Sequence, residues 1–85
     1  MNNELEIFKK KLIYRAGYRG TKEMDILLSS FVNKYINTFD KNLLLELDNF
    51  LNFEDDVILD FYQKNIIKKG IGKNKILKIF KNFKI

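Results

Sequence analysis

Apolar residues recur along this chain at the three- and four-residue spacing that is typical of amphipathic α-helices. The longest such run lies in the first half of the sequence and consists of Met24, Leu27, Leu28, Phe31 and Tyr35, widened by Val32 and Ile36. This run predicts a helix from about Gly20 to Asn37. The strict alternation of apolar and polar residues that marks a β-strand is absent, so the pattern favours helices throughout.

Four further segments show the same helical spacing. A first helix is predicted from Asn3 to Ala16, with an apolar stripe of Leu5, Phe8 and Leu12 and with Ile13 at its edge. The third helix has a predicted buried face of Leu43, Leu47, Phe50 and Leu51. The fourth buries Val57, Ile58, Phe61 and Tyr62. The last is a basic helix over 73–85 that carries Ile76, Leu77, Phe80 and Phe83.

Polar residues and glycines mark the ends of these helices. Gly17 is predicted to take the left-handed conformation after the first helix. Asp40 is predicted to cap the third helix, with Phe39 packing on Leu44 as a hydrophobic staple. The acids at 54–56 open the fourth helix, where negative charge complements the helix dipole. The pattern therefore predicts an all-α fold, a small bundle of about five short helices joined by short loops.

The composition limits both the size of this fold and its chemistry. At 85 residues the chain has room for one core, so we predict a single domain, 1–85. We separately expect a monomer. Cysteine and histidine are both absent, which excludes a disulfide framework, a thiolate metal site and an imidazole base. The N-terminal segment lacks the apolar core of a signal peptide, and no apolar run reaches the roughly 18 residues of a membrane span. We therefore expect a cytoplasmic protein without a transmembrane segment.

The net charge of +5 is concentrated in one part of the chain. Residues 64–85 hold eight lysines and no acid, whereas 1–63 hold eight basic and eleven acidic residues. Such a basic segment can lie on an anionic membrane, bind nucleic-acid phosphates, or pack its apolar face on its own bundle. We favour the third and predict a packed amphipathic helix. A basic binding module for nucleic acid or membrane is the alternative function.

A cluster of glycines and arginines stands before the second helix. In the simplest interpretation Gly20 is the N-cap and Glu23, at N3, completes a capping box. Three observations favour a binding role as well. Glu23 and Asp25 flank the buried stripe and are expected to reach solvent. Ile26 is expected to point away from the core beside two serines, where these side chains could form a flat docking surface. Arg15 and Arg19 are the only arginines beside fourteen lysines, which favours a need for the planar guanidinium.

This segment resembles the FAD assembly factors of succinate dehydrogenase, the family of bacterial SdhE and of a mitochondrial assembly factor. The hallmark motif of that family is R-G-x-x-E, usually continued by x-D, and it is matched by Arg19, Gly20, Glu23 and Asp25. The preceding Tyr14-Arg15 and the helices up to about residue 62 also resemble it. Phe61 stands where many members have tryptophan, and the resemblance gives the lysine-rich tail no firm counterpart.

The resemblance implies a helper rather than an enzyme. Family members bind the flavoprotein subunit of succinate dehydrogenase, and sometimes that of fumarate reductase, and promote covalent attachment of FAD to a histidine of that client. The resemblance implies no permanently bound cofactor, no metal and no nucleic acid. The expected partner-binding residues are Arg15, Arg19, Gly20, Glu23, Asp25 and Ile26.

An enzymatic function has one candidate site. Asp55, Asp56 and Asp60 carry carboxylates of the kind that bind Mg²⁺. Because acids at a helix start are explained by the helix dipole, we favour that structural role for them.

Overall fold

The computed structural model describes residues 3–85, with side chains from Glu4 onward, and within that range it is all-α, as predicted. The α-helices are α1 (Asn3–Ala16), α2 (Lys22–Tyr35), α3 (Lys41–Phe50), α4 (Asp55–Lys64) and α5 (Ile76–Lys81), and a 3₁₀ turn covers Ile71–Lys73. Residues 1 and 2 of the predicted domain lie outside the described residues. Among the helices of residues 3–85, none is long and apolar enough to cross a membrane.

The junction between α1 and α2 differs from the predicted helix end. Helix α1 has the predicted bounds, and Leu12 and Ala16 are fully buried on its inner face. Gly17 does not take the predicted left-handed conformation, which is found at Gly20 instead. A Cβ at Gly17 would lie 3.1 Å from Ser29 Oγ. Glycine at residue 17 therefore allows α2 to approach closely. A positive φ is needed only at Gly20, three residues later.

The N-cap of α2 lies one residue later than the capping interpretation predicts. Thr21 is the N-cap, and its Oγ1 accepts a hydrogen bond from Met24 N at 3.3 Å. The predicted N-cap at Gly20, with Glu23 at N3, is therefore wrong. The hydroxyl of Thr21 supplies the acceptor that glycine lacks, and Gly20 is left to provide the turn before it.

Helix α3 has the predicted start and a slightly different inner face. Asp40 caps it, with Oδ1 accepting from Leu43 N at 2.9 Å. Leu44 is fully buried, whereas Leu43, which was predicted on the buried face, is only half-buried against the core. Helical spacing does not separate the two, since they lie three and four residues before Leu47, and packing within the bundle places Leu44 deeper.

The basic tail closes the core, as the favoured interpretation predicted. Phe80 is fully buried, with its ring centroid 5.0 Å from that of Phe31 and 5.1 Å from that of Phe50. Phe83 lies 5.3 Å from Phe31, and its carbonyl accepts from Tyr62 Oη at 2.8 Å. The apolar face of the tail is thus used inside the bundle.

The tail is less helical than predicted. Helix α5 covers six residues of the predicted 73–85 and follows irregular chain and the 3₁₀ turn. The side chain of Asn74 explains the late start, since its Oδ1 accepts from Ile76 N at 2.8 Å and its Nδ2 donates to Glu46 O at 2.8 Å. Asn74 therefore anchors the chain to α3 before the helix can begin.

Two ion pairs hold the reversal between α4 and the tail. Asn65 ends α4 in the left-handed conformation, and the chain folds back along the helix. Lys68 Nζ lies 2.6 Å from Asp60 Oδ2, and Lys69 Nζ lies 3.3 Å from Glu54 Oε1. The hydrogen bond from Lys68 lowers the pKa of Asp60, and the same bond raises the pKa of Lys68.

Replacing Phe80 with alanine tests whether the tail belongs to the core. We expect Phe80→Ala to lower the free energy of unfolding by about 3–5 kcal/mol, because it removes a fully buried ring among other rings. Urea unfolding followed by circular dichroism measures this change. The exposed Lys84→Ala is the control and should alter stability by less than about 0.5 kcal/mol. Equal stability of the two variants would show that the tail lies outside the cooperative core.

The Asp60–Lys68 pair predicts a specific pH dependence. Because folding lowers the pKa of Asp60, the pair stabilises the protein above the unfolded pKa of about 3.9 and this contribution is lost as pH falls through the lower, folded value. Native protein should melt at a higher temperature than Asp60→Asn at pH 7, and the difference should shrink below about pH 4. Melting followed by circular dichroism across this range measures it. A difference in melting temperature that does not change with pH would contradict the lowered pKa of Asp60.

Candidate functional site

The hallmark motif starts in the loop between α1 and α2. Gly20 has a φ of +112°, a conformation that side chains of L-residues rarely adopt. A Cβ at this position would meet no atom within 4 Å. The glycine is therefore required for the path of the backbone, and the space outside the turn is open.

The side chain of Arg19 points inward from this loop, onto the connection between α3 and α4. Its Nη1 donates to Leu51 O at 2.6 Å and its Nη2 to Phe53 O at 2.7 Å. Its Nε donates to Asp55 Oδ1 at 2.8 Å. Only 11% of the side chain is exposed. Three different nitrogens thus bind three acceptors, which only the planar fork of a guanidinium can do.

Asp25 closes the loop on its other side. Its Oδ1 accepts a hydrogen bond from Arg19 N at 2.5 Å. Asp25 is half-buried and Glu23 is exposed, so both reach solvent as expected, Asp25 less than Glu23. The reason is this contact, which joins the first and last positions of the motif.

Arg15 forms a second clamp, one helical turn before Arg19. Its Nη1 pairs with Asp48 Oδ1, and its Nη2 donates to Asn52 Oδ1 at 2.6 Å. Both arginines therefore fix α1 and its loop to the end of α3. The sequence indicated the need for guanidinium groups, and the structure places the acceptors within the chain.

Two of the predicted partner-binding side chains are exposed on α2. Glu23 is exposed, and Ile26 is 46% exposed, as the sequence predicted for both. They border a groove between α2 and α4, which we call the α2–α4 groove. Its other lining residues are Leu27, Leu59, Tyr62, Gln63 and Ile85. Gln63 Nε2 lies 3.5 Å from Glu23 Oε1, so the carboxylate keeps most of its capacity to accept hydrogen bonds.

A pair of exposed aromatic residues beside the motif was not predicted as part of the site. The rings of Tyr14 and Tyr18 stack with centroids 4.4 Å apart, and the side chains are 63% and 71% exposed. Ile7 is also exposed on α1. Residues 7 and 14 share one face of α1 at seven-residue spacing, opposite the buried stripe, and Tyr18 of the following loop stacks on Tyr14. That spacing was the available signal, and it places exposed apolar surface directly before the glycine turn.

The acidic residues at the start of α4 do not form a metal site. Asp55 is engaged by Arg19 and Asp60 by Lys68. Within residues 3–85, no group of three or more acidic, histidine or cysteine side chains is placed to hold a metal ion. The two ion pairs give Asp55 and Asp60 structural partners within the chain.

Comparison with known proteins identifies one family. The family model described as "Flavinator of succinate dehydrogenase" matches residues 10–84. A protein of Scheffersomyces stipitis named succinate dehydrogenase assembly factor 2, mitochondrial, is 41% identical over 61 residues, which are 72% of this chain and 41% of that protein. The protein of the same name from Schizosaccharomyces japonicus is 37% identical over 54 residues, 64% of this chain and 38% of its own.

A third relative extends the comparison to insects. Succinate dehydrogenase assembly factor 2-A, mitochondrial, of Drosophila willistoni is 39% identical over 51 residues, 60% of this chain and 32% of that protein. The chain therefore spans about two fifths or less of the length of these curated relatives. No solved structure matches it.

The contacts of Arg19 predict that lysine cannot replace it. Arg19→Lys should lower the free energy of unfolding by about 1–3 kcal/mol, because a single ammonium leaves buried carbonyls of the α3–α4 connection without a donor. Urea unfolding measures the change, with the exposed Lys22→Ala as control. Native stability of Arg19→Lys would contradict the proposed clamp.

Proposed function

The chain belongs to the family described as flavinators of succinate dehydrogenase, and on that premise we propose that it is a non-catalytic assembly factor. It binds the flavoprotein subunit of succinate dehydrogenase and promotes covalent attachment of FAD to that client. The observation that carries the proposal is the match over residues 10–84, which includes the whole motif and the elements that hold it.

The division of labour follows from the residue types. Covalent attachment to a histidine needs an imidazole nucleophile, and this chain contains neither histidine nor cysteine. The nucleophile and the flavin therefore belong to the client. The contribution of this chain is to bind the client conformation in which the two groups are correctly oriented. FAD is in this proposal a substrate of the client and not a resident cofactor of the bundle.

The predicted partner-binding residues divide into two groups. Gly20, Glu23 and Ile26 face the open side, where a client backbone can approach the turn, donate to the carboxylate and cover the apolar side chain. Arg19 and Asp25 act as positioning residues, since their contacts within the chain fix the turn from which α2 starts. Arg15 supports the same arrangement from α1. The expectation that both arginines contact the partner is thereby revised in favour of positioning.

The place of action follows the client. A cytoplasmic location was expected from the sequence alone, whereas the relatives described above are named mitochondrial. We therefore propose that the chain acts in the compartment in which its flavoprotein client receives covalent FAD.

Substitution of Ile26 tests the docking surface. Ile26→Asp should weaken binding of the flavoprotein subunit at least about tenfold, because it places a charge at the centre of an apolar contact. Leu45→Asp on α3 is a matched control, since both side chains are 46% exposed. Co-purification reports binding, and flavin fluorescence of the denatured client reports covalent attachment. Equal loss in both variants would exclude a specific role of this surface.

A separate observation tests the function itself. Cells that lack this chain should accumulate client without covalent flavin, and the native chain should restore attachment while Ile26→Asp should not. A client that carries its full complement of covalent flavin in such cells would refute the proposed function, independently of the result for the Ile26 surface.

A further inference from the structure

A second groove lies on the other side of α4, between the end of that helix and the tail. Phe61 and Leu77 form its floor, and Ile67 forms a wall. Four lysines stand at its rim, Lys73, Lys75, Lys78 and Lys81. Its volume of ≈ 470 Å³ lies within the range of roughly 300–1,000 Å³ that is typical of ligand sites. We call it the tail groove.

We propose that the tail groove binds an extended acidic segment of a partner protein, with an apolar side chain of that segment on the Phe61–Leu77 floor. This inference goes beyond the proposed function and does not rest on it. The tail groove shares no lining residue with the α2–α4 groove, because Leu59, Tyr62 and Gln63 face one side of α4 and Phe61 and Asn65 face the other.

Charge complementarity selects an acidic occupant. Residues 64–85 contain eight lysines and no acid. In the described part of the chain, Lys68 and Lys69 pair with carboxylates on α4, whereas the four rim ammonium groups have no carboxylate within 4.0 Å. Like charges gathered around one concavity repel one another and attract an anion. An acidic segment relieves this repulsion at several points at once.

The apolar wall of the groove depends on the close packing of Ile67 against Gly72. Ile67 is 59% exposed, and its Cγ2 would lie 2.9 Å from a Cβ at Gly72. Only a glycine at residue 72 therefore lets Ile67 lie against the 3₁₀ turn. This arrangement keeps an apolar surface beside the lysines, so the occupant is expected to be amphipathic and not merely anionic.

Two other macromolecules fit this surface less well. A membrane-binding helix must present its apolar face to lipid, but Ile76, Leu77 and Phe80 of α5 are buried in the core. A single-stranded nucleic acid needs exposed aromatic rings on which bases stack, but Phe61, Phe80 and Phe83 are all buried. The apolar surface beside the lysines is thus confined to Ile67 and the concave floor of the groove, which suits one inserted side chain better than a lipid surface or stacked bases.

A small anion is also disfavoured. Small-molecule sites orient their ligands with precisely placed polar groups, whereas the rim donors here are exposed lysines. The amide of Asn74 is already engaged, by Glu46 O and by Ile76 N. Several mobile charges along a groove suit an extended peptide, which gains from many contacts and needs no single fixed geometry.

Fluorescence anisotropy with a labelled peptide of glutamates interrupted by single leucines tests the proposal. The full chain should bind it, and binding should weaken as salt rises because the contacts are screened. Replacing the leucines by glycine should weaken binding by about fivefold or more, because the floor loses its apolar contact. Failure to bind the leucine-containing peptide would overturn the proposal.

Charge reversal locates the site. The double variant Lys73→Glu, Lys78→Glu should weaken binding of the peptide at least about tenfold. Lys10→Glu, Lys41→Glu makes the same change in net charge on α1 and α3 and should weaken it by less than about threefold. Equal weakening by the two double variants would show that the peptide responds only to net charge, and would overturn the tail groove as its binding site. Tighter binding of single-stranded DNA or of phosphatidylglycerol vesicles than of the peptide would overturn the choice of occupant.

Discussion

The guanidinium of Arg19 is the contact on which the arrangement of the motif depends. It satisfies two carbonyls of the α3–α4 connection and the Asp55 carboxylate, at distances of 2.6–2.8 Å, in a site with little access to solvent. Charge-assisted hydrogen bonds of this kind are roughly twice as strong as neutral ones. The backbone N–H of the same residue is bound by Asp25. The path of the loop is thus fixed from both sides, and glycine at residue 20 supplies the positive φ that this path requires.

The motif therefore combines two physical roles that its sequence does not separate. Arg19 and Asp25 point inward and maintain the turn, whereas Gly20 and Glu23 are exposed. Binding of a partner by a preformed surface avoids the entropic cost of ordering a loop at the moment of contact. A short motif can serve a small bundle in this way because the clamp and the proposed contact surface are only a few residues apart.

Helical spacing was sufficient to predict the five helices, the bounds of α1 and most of the core, because those features depend on local periodicity. Asp40 was predicted as a cap because its partner, Leu43 N, is three residues away. The partners of Arg19 are 32 to 36 residues distant, and no local pattern indicates which way its side chain points. The role of Gly17 and the shortness of α5 likewise depend on tertiary contacts. The N-cap at Thr21 does not, because its partner, Met24 N, is three residues away and the hydroxyl was an available local signal.

Helix α4 connects these features, because each of its sides borders one groove. Its first residue, Asp55, is held by Arg19, and Asp60 is held by Lys68 of the returning tail. The position of α4 therefore sets the α2–α4 groove and the tail groove together. The tail contributes to both: Ile85 lines the first, and the lysines around α5 border the second. Since Phe80 and Phe83 bury the apolar side of this segment, its charge is left at the surface in a fixed place, where it can act in recognition without loss of the core.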